Sequence, residues 1–190
     1  MIALEAWKFA TVDVVKVGGA EDTSEVDLEK ANRVYQQIKI QLRRGRTITI
    51  GETESQKMIG DSLDVTINPK ERATQETMRL TKSQNIKHIT AYYVPGFSYK
   101  EKNDNAILRG LAICPSDYKS PPSPAVFVGP IHGPFTLAHE VGHILWDESG
   151  LGHHHDYWNL MYEHYESITL LPKITKGQSA RMREHPLTHF

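Results

Sequence analysis

One stretch of this 190-residue sequence, residues 133–161, places several side chains with metal-binding and acid–base chemistry at regular spacings. It reads GPFTLAHEVGHILWDESGLGHHHDYWNLM and contains the pattern H-E-x-x-H. Positions i and i+4 of an α-helix lie on one face, so His139 and His143 can direct two imidazoles at one point, with Glu140 beside them. This arrangement is typical of a zinc site that carries its own base.

A third ligand is needed to complete such a site. Catalytic zinc usually has three protein ligands and leaves the fourth position to water, so two imidazoles are too few. The sequence after the H-E-x-x-H pattern offers three candidates, which are His153, His155 and Glu163. We therefore expect one of these side chains to join His139 and His143.

The same stretch resembles the active site of the metzincin peptidases, whose pattern is H-E-x-x-H-x-x-G-x-x-H followed by a turn that contains methionine. The H-E-x-x-H part matches directly, Gly150 and His153 match G-x-x-H, and Met161 matches the methionine. From His153 onward, H-H-H-D-Y-W-N-L-M is similar to the H-S-x-D-x-x-A-L-M of the matrixin branch. The sequence departs from the pattern by four extra residues between His143 and Gly150, about one helical turn.

The extra residues leave the identity of the third ligand open. The preferred register uses His153. An alternative register uses Gly152 and His155, as in the reprolysin branch, but it brings Met161 closer than the turn usually requires. Glu163 has the spacing of the Glu ligand of thermolysin-like peptidases, but the glycines and the H-H-H-D run before it do not predict the second long helix that those enzymes use.

The resemblance implies a zinc metalloendopeptidase that hydrolyses an extended protein or peptide substrate. Neutral imidazole ligands leave zinc its full positive charge, which lowers the pKa of a bound water toward about 7. Glu140 would be the general base that takes a proton from this water and returns it to the leaving amine. Two alternatives remain open. One is a zinc-stabilised, catalytically weak or inactive module that binds a protein partner, and the other is a toxin delivered between cells.

Length and composition favour one domain and give no sign of a nucleic-acid or membrane partner. We expect a monomeric catalytic domain over 1–190, with the sheet and helices in 1–148 and the third ligand, methionine turn and final helix in 149–190. The charges of the 22 basic and 23 acidic side chains nearly cancel, so the chain has no net electrostatic field that would attract nucleic acid or a membrane. No long apolar run or secretory signal pattern occurs, so the localisation is either cytoplasmic or exported without a cleavable N-terminal signal.

The hydrophobic periodicity predicts an α+β fold. Strand patterns occur at 6–17, 86–94, 107–113 and 125–128, and the short alternating segments 47–50 and 64–67 are read as one strand and part of a loop or hairpin. Helical patterns occur at 27–43, at about 70–84, between Gly133-Pro134 and Ser149-Gly150, and at about 176–184 with a Thr175/Gln178 capping box. This order is similar to the N-terminal half of metzincins. It implies a twisted mixed five-stranded sheet packed on helices, the zinc helix beneath the sheet, and an irregular C-terminal part with a short final helix.

Several local predictions bear on the site. In metzincins the edge strand above the cleft pairs with an extended substrate, and 107–113 is placed to do this. Cys114 is read as a buried strand residue rather than an inhibitory thiolate. Asp156 either accepts a hydrogen bond from a ligand N–H or caps a turn. Gly45 is expected to end the first helix, with basic side chains at that end, and the tail 183–190 is expected to be frayed.

Overall fold

The computed structural model describes residues 6–59, 63–64, 87–98, 109–114, 124–146, 153–162 and 170–190. The described strands are β1 (Lys8–Val17), β2 (Ile40–Ile50), β3 (Leu63–Asp64), β4 (Ile89–Tyr93), β5 (Phe97–Ser98), β6 (Gly110–Ile113) and β7 (Ala125–Val128). The described helices are α1 (Ser24–Tyr35), α2 (Glu52–Ile59), α3 (Thr136–Trp146) and α4 (Lys176–Glu184), with a short 3-10 helix, Gln36–Ile38, after α1.

Within the described ranges, the main sheet has five strands in the order β2-β1-β4-β7-β6. Four of them run parallel, because β1 pairs in parallel with both β2 and β4, and β4 with β7. Strand β6 is antiparallel to β7 and forms the far edge. The predicted α+β class and mixed five-stranded sheet are therefore confirmed.

The apolar side chains of β1 lie on both faces of the sheet. Ala10, Val12 and Val14 pack with the core residues of α1 and α3, whereas Val15 and Val17 belong to a second cluster on the other face. Successive side chains of a strand point to opposite faces, so this strand contributes to both clusters. Strands β4 and β7 are buried along their whole length, and the sequence of β7, AVFV, is accordingly apolar throughout, whereas β4 includes the buried Thr90.

The first predicted helix, 27–43, is too long at its C-terminal end. Helix α1 and the 3-10 helix together end at Ile38, Lys39 adopts a left-handed backbone with φ of 52°, and β2 follows. Ile38 and Leu42 have helical spacing, but Ile38, Ile40 and Leu42 also alternate as in a strand. Pairing of this segment with β1 buries Ile40 and Leu42, so tertiary structure decides between the two patterns.

Gly45 and the basic residues around it lie in β2, so the predicted helix end at this position is wrong. Arg46 donates hydrogen bonds to the fully buried Asp13 from its backbone N–H, at 2.8 Å, and from its guanidinium, at 2.7 and 3.1 Å. Burial would raise the pKa of Asp13, but hydrogen bonds from Arg46 and His88 hold it below its usual value. A Cβ at Gly45 would lie 2.1 Å from Asp13 Oδ1, so glycine is needed here for close packing.

The tail 183–190 packs against the sheet, so the prediction of fraying is wrong. Phe9 and His189 exchange two backbone hydrogen bonds, at 2.7 and 3.0 Å, and Leu187 is buried. The Thr188 hydroxyl lies 2.8 Å from the His185 carbonyl, which closes the turn after α4. The hydrogen bonds between Phe9 and His189 join residues far apart in sequence, so no local pattern predicts them.

Some predicted segments lie outside the described residues. These are the helix at about 70–84, residues 65–67 of the short strand segment, and the central helix beyond Trp146. Helix α2 was not predicted, because its sequence, ETESQKMI, is short and polar. Among the helices of the described ranges, none combines the length and apolarity needed to cross a membrane.

Candidate metal centre

The H-E-x-x-H pattern lies on helix α3, in the interior of the protein. Ten of its eleven residues, from Thr136 to Leu145, are buried. Its polar residues His139, Glu140 and His143 are buried as well, with exposed fractions of 1%, 4% and 7%. Burial on all sides of the helix restricts the movement of these three side chains.

The structure brings His153 to the two helical histidines. Each ring of His139, His143 and His153 offers a nitrogen, and these nitrogens all lie within 4.8 Å of one another. We call these three residues the His cluster. Among the described residues, this is the group of His, Cys, Asp and Glu side chains with the geometry to hold a metal ion. His155 is exposed and lies outside it, and Glu163 is outside the described residues.

Hydrogen bonding fixes the tautomer of His139. Its Nδ1 lies 2.7 Å from the carbonyl oxygen of Leu160, which can only accept, so Nδ1 carries the proton. Its Nε2 therefore has a lone pair and lies 3.1 Å from Nε2 of His143. Burial, together with the charge of His143, lowers the pKa of His139 well below its usual value and keeps the ring neutral. Neutral imidazoles whose nitrogens converge fit a zinc ion.

Residues 159–161 form a turn that packs against helix α3 beneath the His cluster. Met161 is fully buried, and a Cβ at Gly142 of the H-E-x-x-H helix would lie 2.5 Å from its sulfur. The carbonyl of Met161 accepts from the His154 N–H at 2.6 Å, which ties the turn to the segment that presents His153. Gly142 thus allows helix and turn to approach closely beneath the His cluster.

Gln178 on α4 fixes the same turn. The predicted capping box is present, with Thr175 Oγ1 accepting from Gln178 N and the Gln178 side chain accepting from Thr175 N. The Gln178 amide also makes two 3.0 Å hydrogen bonds with the Asn159 amide, whose oxygen accepts from the Met161 N–H at 2.9 Å. Sequence reasoning identified the cap but missed the link to Asn159, because nothing local connects residues nineteen positions apart.

Asp156 caps the turn that follows His153. Its carboxylate accepts from the Trp158 N–H at 3.0 Å, and the residue is exposed, which supports the capping interpretation. The ring of Tyr157 packs against the rings of Trp158 and Tyr162, with centroids 4.9 and 5.4 Å apart. Aromatic packing and the Asp156 cap together stiffen the loop between His153 and the Met161 turn.

Cys114 is a packing residue, as predicted. It is 2% exposed at the end of β6, and its Sγ lies 3.5 Å from the backbone carbonyl of His143. The contact attaches the edge strand to the metal-site helix.

Similarity to known proteins is found at the level of structure. No protein-family model matches the sequence, and no match is found among the curated proteins. The crystal structure of metalloproteinase-II from Bacteroides fragilis is similar to this chain, with a TM-score of 0.60 and 17% sequence identity. The likeness shows that this chain shares the fold of that protein. The match covers 95% of this chain and 54% of that one, so the chain spans about half the length of its neighbour.

The loop that leads into α3 is held by a partly buried ion pair. His132 Nε2 lies 3.2 Å from Asp27 Oδ2 of α1, and His132 Nδ1 lies 2.7 Å from the carbonyl of Gly129. Both ring nitrogens face acceptors, so the protonated ring satisfies both. The hydrogen bond to Asp27 raises the pKa of His132, while burial and the charge of Lys30 oppose the shift. Thr23 donates to the same carboxylate at 2.7 Å.

His132→Gln should remove a pH dependence of folding stability. The folded-state pKa of His132 lies above the unfolded value of about 6.5, so its protonated form stabilises the fold below that pH, and the contribution is lost as the pH rises through the folded pKa. We expect the variant to unfold with about 1.5–3 kcal/mol less free energy at low pH, the range for hydrogen bonds to charged groups. The difference from the parent should shrink at alkaline pH.

Urea unfolding of metal-free protein, between pH about 6 and 9, measures this difference. His155→Gln is the matched control, because His155 is exposed and outside the ion pair, and it should follow the parent. A constant difference between His132→Gln and the parent at all pH values would contradict the prediction.

Proposed function

We propose that this protein is a zinc-dependent endopeptidase of the metzincin type. The observation that carries the proposal is the His cluster, with Glu140 buried beside it on a metalloproteinase fold. His139, His143 and His153 would be the metal ligands. When bound, zinc would supply a positive charge that polarises the scissile carbonyl and lowers the pKa of water.

Glu140 is the group proposed to move protons. It lies between two proposed ligands in sequence, on the same buried helix, and its side chain approaches β6. In this position its carboxylate would take a proton from the attacking water and return it to the departing amine. Its burial excludes bulk water, so the carboxylate acts in a medium where electrostatic interactions are strong.

The edge strand β6 is proposed to bind the substrate main chain. Gly129 N–H donates to the Arg109 carbonyl at 3.0 Å, which makes these two residues a hydrogen-bonded pair. In an antiparallel ladder such pairs alternate, so the backbone groups of Gly110 and Ala112 point away from β7. Within the described residues no strand pairs with that side of β6. An extended peptide could add there as a further strand.

Met161 supports the metzincin type. It lies buried beneath the H-E-x-x-H helix, next to the residue whose carbonyl orients His139. The methionine turn of the family motif is matched to the same residue. The thermolysin-like reading would instead use Glu163, whereas the described residues already include a third imidazole in His153.

Zinc removal tests the proposal. We expect the purified protein to hold about one zinc ion per chain and to digest casein or a mixed peptide library. A strong chelator should abolish hydrolysis, and stoichiometric zinc should restore it. Protein that binds zinc at the His cluster but cleaves nothing would contradict the proposal and indicate a zinc-stabilised binding module.

A further inference from the structure

Gly110 is the first residue of β6 and lies directly against Glu140. A Cβ built at Gly110 would be 2.6 Å from Glu140 Oε1 and 2.9 Å from its Cγ. The same Cβ would be 2.8 Å from the methyl carbon of Thr136. Real Cβ contacts are not this short, so any side chain at position 110 would have to displace one of these neighbours.

The backbone conformation does not explain the glycine. Among the described residues, the glycine with a positive φ is Gly19, so Gly110 has a conformation open to other residues. Glycine is therefore required at 110 by space and not by φ. The space is occupied by the carboxylate of Glu140.

Thr136 restricts the direction in which that carboxylate can retreat. It lies one turn before Glu140 on α3, on the same face of the helix. Its hydroxyl accepts from the Gly133 N–H at 3.0 Å, and its methyl faces Gly110. The Thr136 methyl group and the Glu140 carboxylate thus border the same space beside the backbone of Gly110.

We propose that Gly110 is a positioning residue for Glu140. Its missing side chain lets the carboxylate lie against the edge strand, at the point where the backbone of Gly110 faces the proposed substrate. One residue would thus pair with the substrate main chain and set the distance of the general base from it. This inference rests on the proposed function for its catalytic part, whereas the steric coupling of Gly110 with Glu140 can be measured independently.

Gly110→Ala should reduce kcat and leave KM nearly unchanged. The added methyl forces the Glu140 carboxylate out of position, and a displacement of about 1 Å in a catalytic group can cost about 100-fold in rate. The backbone groups of residue 110 remain available to the substrate, so binding should persist. Zinc-loaded protein and a peptide from the library digest give both constants, and zinc content should match that of the parent.

A double-mutant cycle on metal-free protein tests the coupling without any activity. Gly110→Ala should lower Tm by at least about 3 °C, as expected for overpacking in a protein of this size. Glu140→Ala removes two of the three atoms that the new Cβ would strike and leaves the Thr136 methyl carbon, so the loss of Tm should be smaller, though not zero, in that background. If Gly110→Ala folds only in the Glu140→Ala background, the coupling is likewise supported.

Gly129→Ala is the matched control. Its Cβ would lie 2.7 Å from the Phe97 ring, a comparable clash that does not involve Glu140. This variant should lose stability equally in both backgrounds and keep the parent kcat in its folded fraction.

Two results would overturn the inference. One is an equal loss of Tm, or failure to fold, for Gly110→Ala in both backgrounds, which would show that the residue does not act through Glu140. The other is a kcat for Gly110→Ala within about twofold of the parent. A parent that cleaves no peptide would refute the proposed function and with it the catalytic part of the inference, while the Tm cycle would still decide the steric coupling.

Discussion

Glu140→Gln should abolish peptide hydrolysis while the protein keeps its zinc and its fold. Glutamine has nearly the same shape as glutamate and fits the confined space beside Gly110, but its amide cannot accept the proton of the attacking water. Loss of a general base costs about 10²–10⁴-fold in rate. The variant's kcat/KM, zinc content and thermal unfolding should be compared with those of the parent.

Glu29→Gln is a suitable control for this result. Glu29 lies on the exposed side of α1 and pairs with Arg33, with 65% and 66% of the two side chains exposed. Surface ion pairs contribute little to stability, so this substitution should change neither zinc content nor rate. Hydrolysis by Glu140→Gln within about tenfold of the parent would show that another group takes the proton.

Local patterns in the sequence predicted those helices and strands whose structure depends on residues close together in the chain. The final helix begins and ends where its capping box and polarity indicate, because the two hydrogen bonds of the cap join Thr175 and Gln178, which are only three residues apart. The central helix was equally predictable, since the apolar positions around His139 and His143 repeat with helical period. β7 matches the predicted AVFV segment at both ends.

Segments whose structure depends on contacts with residues distant in the sequence could not be predicted from local patterns. The segment after Ile38 fits a helix or a strand, and only pairing with β1 selects the strand. The tail around His189 contains no strand pattern, yet it exchanges backbone hydrogen bonds with Phe9. In the sequence, Gly45 resembles the end of a helix, and Gly110 lies inside the predicted strand 107–113 with no sign of a special role. Their roles depend on a carboxylate from another strand or helix that occupies the space of the missing side chain.

The structure brings His153 to His139 and His143 and leaves His155 exposed. A bend in the chain accounts for this difference in their positions. The Asp156 N–H donates to His154 Nδ1 at 3.0 Å, which bends the chain immediately after His154. His155 therefore lies at the bend and is exposed, whereas His153 precedes it and faces the cluster. Spacing alone cannot distinguish the two, because the bend depends on the fold of the whole 153–162 loop.

His153→Ala should weaken zinc binding by at least about 100-fold, whereas His155→Ala should leave it within about twofold of the parent. Removing His153 leaves two imidazoles on α3, fewer than the three protein ligands that catalytic zinc sites use, and even loss of residues that only support a ligand can cost 10–100-fold. Competition with a chromophoric chelator measures both affinities. The pair is matched, because the same substitution is made two positions apart in one loop. Loss of zinc with His155→Ala alone would select the alternative register and would require the 153–162 loop to rearrange when metal binds.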